Sequence, residues 1–88
     1  MKPENAGPNL NKTDWIWTDH IRYQMLERKI GSELVGLALE NPDAIVSDRG
    51  NCIVYNKVVG GKLIRVVTNG NKLITVYATT KIAKYLKE

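Results

Sequence analysis

The chain has 88 residues, 43% hydrophobic and 25% charged, a length that supports one domain and excludes two, and a composition that folds rather than staying disordered. Its net charge of +4 is unevenly spread: residues 1–48 carry five basic and eight acidic side chains and residues 49–88 eight basic and one acidic, so only the second part invites a polyanionic partner. One cysteine, Cys52, and one histidine, His20, exclude an internal disulfide and a structural zinc site. No apolar run has signal-peptide or membrane-span length, and the expectation is a cytoplasmic protein that needs neither metal nor cofactor.

Residues 1–13, rich in proline and asparagine with a single leucine, have too little to bury to offset the entropy of ordering and read as a flexible tail. One domain is expected over 14–88. Trp15, Ile16 and Trp17 form a short β-favouring run before Thr18, a good helix N-cap with Asp19 behind it. A helix follows from about Asp19 to Lys29, with Ile21 and Met25 toward the core and His20, Gln24 and Arg28 four apart on a polar face. Gly31 is expected to stop it and Ser32 to cap a second helix, whose stripe is Leu34, Val35, Ala38 and Leu39 and whose end is Asn41-Pro42.

Beyond Pro42 the period changes. The runs Ala44–Ser47, Cys52–Val59, Leu63–Thr68 and Leu73–Tyr77, divided by Arg49-Gly50, Gly60-Gly61 and Asn69-Gly70, predict an antiparallel meander. Ile82, Ala83 and Leu86, with lysines outside, suit a terminal amphipathic helix over Thr80–Lys87.

The turns predict register. A two-residue turn at Gly60-Gly61 pairs Val59 with Lys62, Tyr55 with Val66 and Asn56 with Arg65. A three-residue loop at Asn69–Asn71 then pairs Arg65 with Thr75 and Leu63 with Tyr77, whereas a two-residue turn at Asn69-Gly70 sets Arg65 beside Ile74. The three-residue loop separates polar from apolar more cleanly. It leaves Ile53, Tyr55, Val59, Ile64, Val66, Ile74 and Val76 on the face that takes the helices and a polar row, Asn56, Arg65 and Thr75 beside Tyr77, on the other.

Cleaving RNA without a metal needs a base for the 2′-hydroxyl, cations for the phosphate and an acid for the leaving oxygen. His20 is the candidate base, Arg65 and Arg28 offer planar forks to a phosphate, Lys81 and Lys84 supply point charge, and Tyr77 can donate a proton or stack on a base. Each also has a plain structural role. His20 suits a helix start, Arg28 a helix C-terminus, and Arg65 a carboxylate partner or the cover of an apolar layer; Tyr77 and the tryptophans suit packing, and Cys52 a buried thiol.

The segment from His20 through Arg28 to Ile30, followed by Val35, Leu39 and Asn41-Pro42 and then by Arg65-Val66-Val67 and the strand Ile74–Tyr77, resembles a family of small prokaryotic domains of unknown function. The resemblance covers about residues 15–85. That family is in turn similar in element order to the RelE/ParE-like toxins of toxin–antitoxin modules, one branch of which cleaves RNA without metal. The family's motif histidine matches His20, its helix arginine Arg28 and its strand arginine Arg65; where many members carry a further basic residue, this chain has Gln24.

The resulting expectation is an α+β domain of order β-α-α-β-β-β-β-α, a helical hairpin on a curved antiparallel sheet as in RelE/ParE toxins. It would act as a metal-independent ribonuclease or an RNA-binding module, with His20, Arg65 and Tyr77 in catalysis, Arg28, Lys81, Asn56 and Thr75 holding the phosphate, and RNA and a cognate antitoxin or other protein as partners. Two non-catalytic readings stand beside it. One is a protein-interaction domain that uses a sheet edge or the Trp15–Trp17 segment, and the other is a nucleic-acid-binding domain.

Overall fold

The computed structural model describes residues 14–86; the expected tail, residues 1–13, lies outside the described residues, as does Lys87 at the end of the expected terminal helix. The elements run β1 (Ile16–Trp17), α1 (Asp19–Arg28), α2 (Ser32–Glu40), β2 (Ala44–Ser47), β3 (Cys52–Val59), β4 (Lys62–Asn69), β5 (Lys72–Thr79) and α3 (Ile82–Leu86), with a 3-10 turn at Arg49–Asn51. The α+β class and the element order agree with the sequence. No helix among the described residues is long and apolar enough to cross a membrane.

The sheet is mixed, not purely antiparallel as expected. Its order is β1-β5-β4-β3-β2, and β1 joins β5 in parallel through Ile16↔Lys72 and Trp17↔Leu73. A strand of two residues has no period from which a pairing can be read. Its position is set by single bonds: the Ile16 N–H donates to the Asn71 carbonyl at 2.8 Å, and the Thr18 hydroxyl to that of Leu73 at 2.7 Å.

Thr18 also caps α1 as expected, its hydroxyl accepting from the Ile21 N–H at 3.2 Å. The other end differs from expectation. Lys29, not Gly31, takes the left-handed conformation (φ 58°, ψ 43°), its N–H reaching the Leu26 carbonyl and that of Ile30 reaching Met25. This is a Schellman ending, and the buried Ile30 supplies its hydrophobic contact. Gly31 is instead the N-cap residue of α2, without a side-chain cap, so Ser32 is the first helical residue rather than the cap.

α1 lies against β5, and α2 against β3 and β4. Between hairpin and sheet, Ile21, Ile30, Val35, Ala38, Ile64, Val66, Leu73 and Val76 form the core, with Tyr55, Val59, Met25, Leu34 and both tryptophans packed on it. Ile21, Val35, Val66, Leu73 and Val76 have no exposed surface, and each contributes roughly 1.5–3 kcal/mol by its burial. The Trp15 ring meets Tyr55 edge-on, centroids 5.8 Å apart, a favoured aromatic geometry.

β3 and β4 pair as the turn predicts: Val59↔Lys62, Tyr55↔Val66 and Asn56↔Arg65. Gly60 and Gly61 both have positive φ, 56° and 82°, as a type I′ turn requires. The β4–β5 register is not the one expected. A two-residue turn at Gly70-Asn71, with positive φ at Gly70 only, pairs Asn69 with Lys72, and a bulge then shifts the ladder between Val67 and Thr68. Arg65 therefore stands opposite Tyr77, Val67 opposite Thr75 and Leu63 opposite Thr79. Ile74 is the bulge's extra residue, so Leu73 replaces it in the core; Ile53, also expected there, is only half-buried.

Candidate functional site

Alternation along a strand sends neighbours to opposite faces. With Ile64 and Val66 turned to the hairpin, Arg65 points to the other face from the middle of β4, the central strand of the five. Register brings Asn56 beside it on β3 and Tyr77 on β5. The Arg65 Nε donates to Asn56 Oδ1 at 2.9 Å and its Nη1 to the Tyr77 hydroxyl at 2.8 Å. α3 adds Tyr85, whose ring centroid lies 3.8 Å from the guanidinium carbon. Lys84, the preceding residue, places its Nζ 5.3 Å from that same centroid.

Arg65 is half-buried, and no carboxylate pairs with it among the described residues; its partners are an amide, a phenol and an aromatic face. Of a guanidinium's five N–H groups, two are used by Asn56 and Tyr77 and the other three donate to no described residue. Burial pushes the Tyr77 phenol above its usual range; the Arg65 charge opposes this and the Tyr85 hydroxyl adds to it. At neutral pH Tyr77 is therefore a protonated donor. Because Arg65 donates into its oxygen, the phenol's own proton points elsewhere, toward the Tyr85 hydroxyl or a bound acceptor.

A second cluster sits where α1 meets the edge of β5. The Arg28 Nη1 donates to the Val76 carbonyl at 3.0 Å and to Gln24 Oε1, which also accepts from the Thr75 hydroxyl. Gln24 is thus an acceptor between two donors. A basic side chain could accept from neither.

The expected site residues thus divide into three groups. Asn56, Arg65 and Tyr77 come together. Arg28 and Thr75 meet at the β5 edge through Gln24, so Thr75 is not the cross-strand neighbour of Arg65 that the expected register made it. His20 and Lys81 join neither group. His20 is exposed in the first turn of α1 and makes no side-chain hydrogen bond to a described residue, while Lys81 is exposed ahead of α3, its backbone N–H donating to the Thr79 hydroxyl at 3.1 Å. Tyr85 belongs to the Arg65 site without having been expected there, since the amphipathic pattern of Ile82, Ala83 and Leu86 does not say which face of the sheet α3 covers.

The geometry can hold an anion. The Arg65 guanidinium has three N–H groups that donate to no described residue, the neutral Tyr77 phenol stands beside it, and Lys84 lies against the Tyr85 ring. Among the described residues there is no group of three or more side chains able to hold a metal ion.

A family model described as Domain of unknown function (DUF4258) matches residues 17–78. No curated protein and no solved structure matches the chain. The matched segment spans both helices of the hairpin, His20 and Arg28, and the whole Asn56–Arg65–Tyr77 row, and by this match over well more than half its length the chain belongs to the DUF4258 family.

Proposed function

We propose that this domain is an RNA-binding module akin to the RelE/ParE-like toxins, in which Arg65 holds a backbone phosphate with Tyr77 as a second donor. The observation that carries the reading is the half-buried Arg65 guanidinium, fixed in the central strand by neutral groups alone. Removing a cation from water without a counter-charge is unfavourable, and a bound anion supplies that charge. Tyr85 offers an aromatic face to a base beside the phosphate, and the basic second part of the chain, Lys81 and Lys84 included, draws a polyanion toward it. As in toxin–antitoxin modules, a neutralising protein partner belongs to the same reading. Binding is favoured over cleavage because His20, the candidate base, stands apart from the row.

Fluorescence anisotropy with a labelled single-stranded RNA tests this. Arg65→Ala is expected to weaken binding about 10- to 100-fold, the worth of a charge-assisted hydrogen bond at roughly 1.5–3 kcal/mol. His20→Ala should leave the affinity unchanged, and the RNA should run intact on a gel after incubation with the wild type. Wild-type binding that Arg65→Ala does not alter sinks the proposal; cleavage that His20→Ala abolishes restores the catalytic assignment of His20.

A further inference from the structure

α3 is five residues long, none of them buried, and it adds no side chain to the core between hairpin and sheet. Alone, a helix shorter than about 12–15 residues is not stable in water, so α3 depends on what it touches. Thr80 and Lys81, in no helix or strand, join it to β5, and the Lys81 N–H donates to the Thr79 hydroxyl at 3.1 Å. Ile82 and Leu86 are half-buried, and so is Tyr85, whose ring lies on Arg65. The ring centroid is 3.8 Å from the guanidinium carbon, against 5.6 Å for the Tyr77 ring. This is the closest approach of a cation to an aromatic ring among the described residues.

What draws Tyr85 there is the charge that the row leaves unanswered. Arg65 is half-buried with no carboxylate partner among the described residues, and a cation is held by an aromatic face most strongly where water is partly excluded. The Tyr85 hydroxyl is a second tie, since it helps to keep the Tyr77 proton in place. A phosphate claims both groups. Its negative charge answers the guanidinium and weakens the pull on the ring, while its oxygens compete with the Tyr85 hydroxyl for the Tyr77 proton.

We propose that α3 is a latch on the Arg65 site, closed by the Tyr85 ring on the guanidinium and opened by an anion that binds there. This regulation rests on the reading of Arg65 as a phosphate site. The closed form lowers the apparent affinity, because the competent state is populated only in part. Coupling is reciprocal, so α3 opposes phosphate binding by as much as bound phosphate loosens α3. Opening also frees the ring face that Arg65 covers, and a base beside the phosphate can then stack on it. An inorganic phosphate ion brings no base, and with it the latch acts alone.

Inorganic phosphate, compared with sodium chloride of equal ionic strength, is therefore the probe, and backbone order parameters from NMR follow α3. Without phosphate α3 should match the sheet, at about 0.85, and at saturation it should fall below about 0.6 while the sheet stays rigid. Arg65→Ala should give the low values in α3 with no ligand present. Tyr85→Ala should bind phosphate about 3- to 10-fold more tightly than the wild type, the worth of a partly desolvated cation–π contact, with the sheet amide shifts unchanged. Tyr85→Phe keeps the ring and should gain less than Tyr85→Ala does. Phosphate that binds with α3 unmoved, an ordered α3 in Arg65→Ala, or a Tyr85→Ala protein that binds no more tightly overturns the latch and leaves Arg65 as an anion site. Phosphate that binds neither the wild type nor Tyr85→Ala overturns the latch together with the phosphate site.

Discussion

Asn56 has no exposed surface, and each polar atom of its side chain has a partner. Its Nδ2 donates to the carbonyls of Ala44 and Val54, both at 3.3 Å, which turns its Oδ1 toward the Arg65 Nε. The amide is thereby an alignment device: two backbone carbonyls fix its orientation, and the orientation fixes one edge of the guanidinium. Lys29 is the opposite case, a residue placed against its own preference. It holds a left-handed backbone (φ 58°) at the end of α1, a conformation that strains any residue with a Cβ. Its N–H and that of Ile30 complete the Schellman ending, so the conformation is fixed by the hairpin. Lys29→Gly relieves the strain at the cost of some extra unfolded-state entropy, and the net gain expected is about 0.5–1 kcal/mol. In urea unfolding the midpoint should rise with an unchanged slope; a midpoint that falls would mean that the Lys29 side chain contributes more than its backbone costs.

At the scale of elements, what could be read from sequence depended on whether the signal was local. Gly60-Gly61 allows one two-residue turn, and the Asn56–Arg65 half of the site followed from it. Asn69-Gly70-Asn71 allows several, and the one adopted, Gly70-Asn71, is joined to a bulge at Ile74 that nothing in the spacing announces. The bulge moves Tyr77, instead of Thr75, opposite Arg65. His20, Gln24 and Arg28 were rightly placed on one helical face, but a face does not reveal what lies across from it: the β5 edge takes Gln24 and Arg28 and leaves His20 to solvent. Tyr85 was out of reach for the same reason, because α3 could have covered either side. Thr18 is the joint on which this packing depends, since its one hydroxyl accepts from the Ile21 N–H and donates to the Leu73 carbonyl. Thr18→Val keeps the shape and removes both bonds, and the expected loss is roughly 1.5–3 kcal/mol, a helix cap and a long-range hydrogen bond together. A thermal midpoint within a degree of the wild type would show that α1 is held to β5 by apolar packing alone.

For the whole molecule, the charge division follows the architecture. Of the described residues, those up to Asp48, the helical hairpin with its flanking segments, carry seven acidic and three basic side chains, and those from Arg49 on, β3 to β5 with α3 and their connections, carry seven basic and no acidic one. The Arg65 face belongs to the basic part, and its cations differ in kind. Arg65 is half-buried and fixed by two hydrogen bonds, whereas Lys81 and Lys84 are exposed. Counterion release makes this difference measurable, because the affinity for single-stranded RNA falls with salt at a log–log slope of about −0.7 per phosphate neutralised. If all three cations meet phosphates, the wild-type slope is about −2. Lys81→Ala and Lys84→Ala should each bring the slope about 0.7 closer to zero, with little loss of affinity at high salt, since their contribution is nearly all counterion release. Arg65→Ala should change the slope by the same amount and also lower the affinity at high salt, because a positioned guanidinium adds hydrogen bonds that ions do not screen away. Were Arg65→Ala to shift only the slope, Arg65 would be one more diffuse charge, and the row that aligns it would serve the sheet and not a ligand.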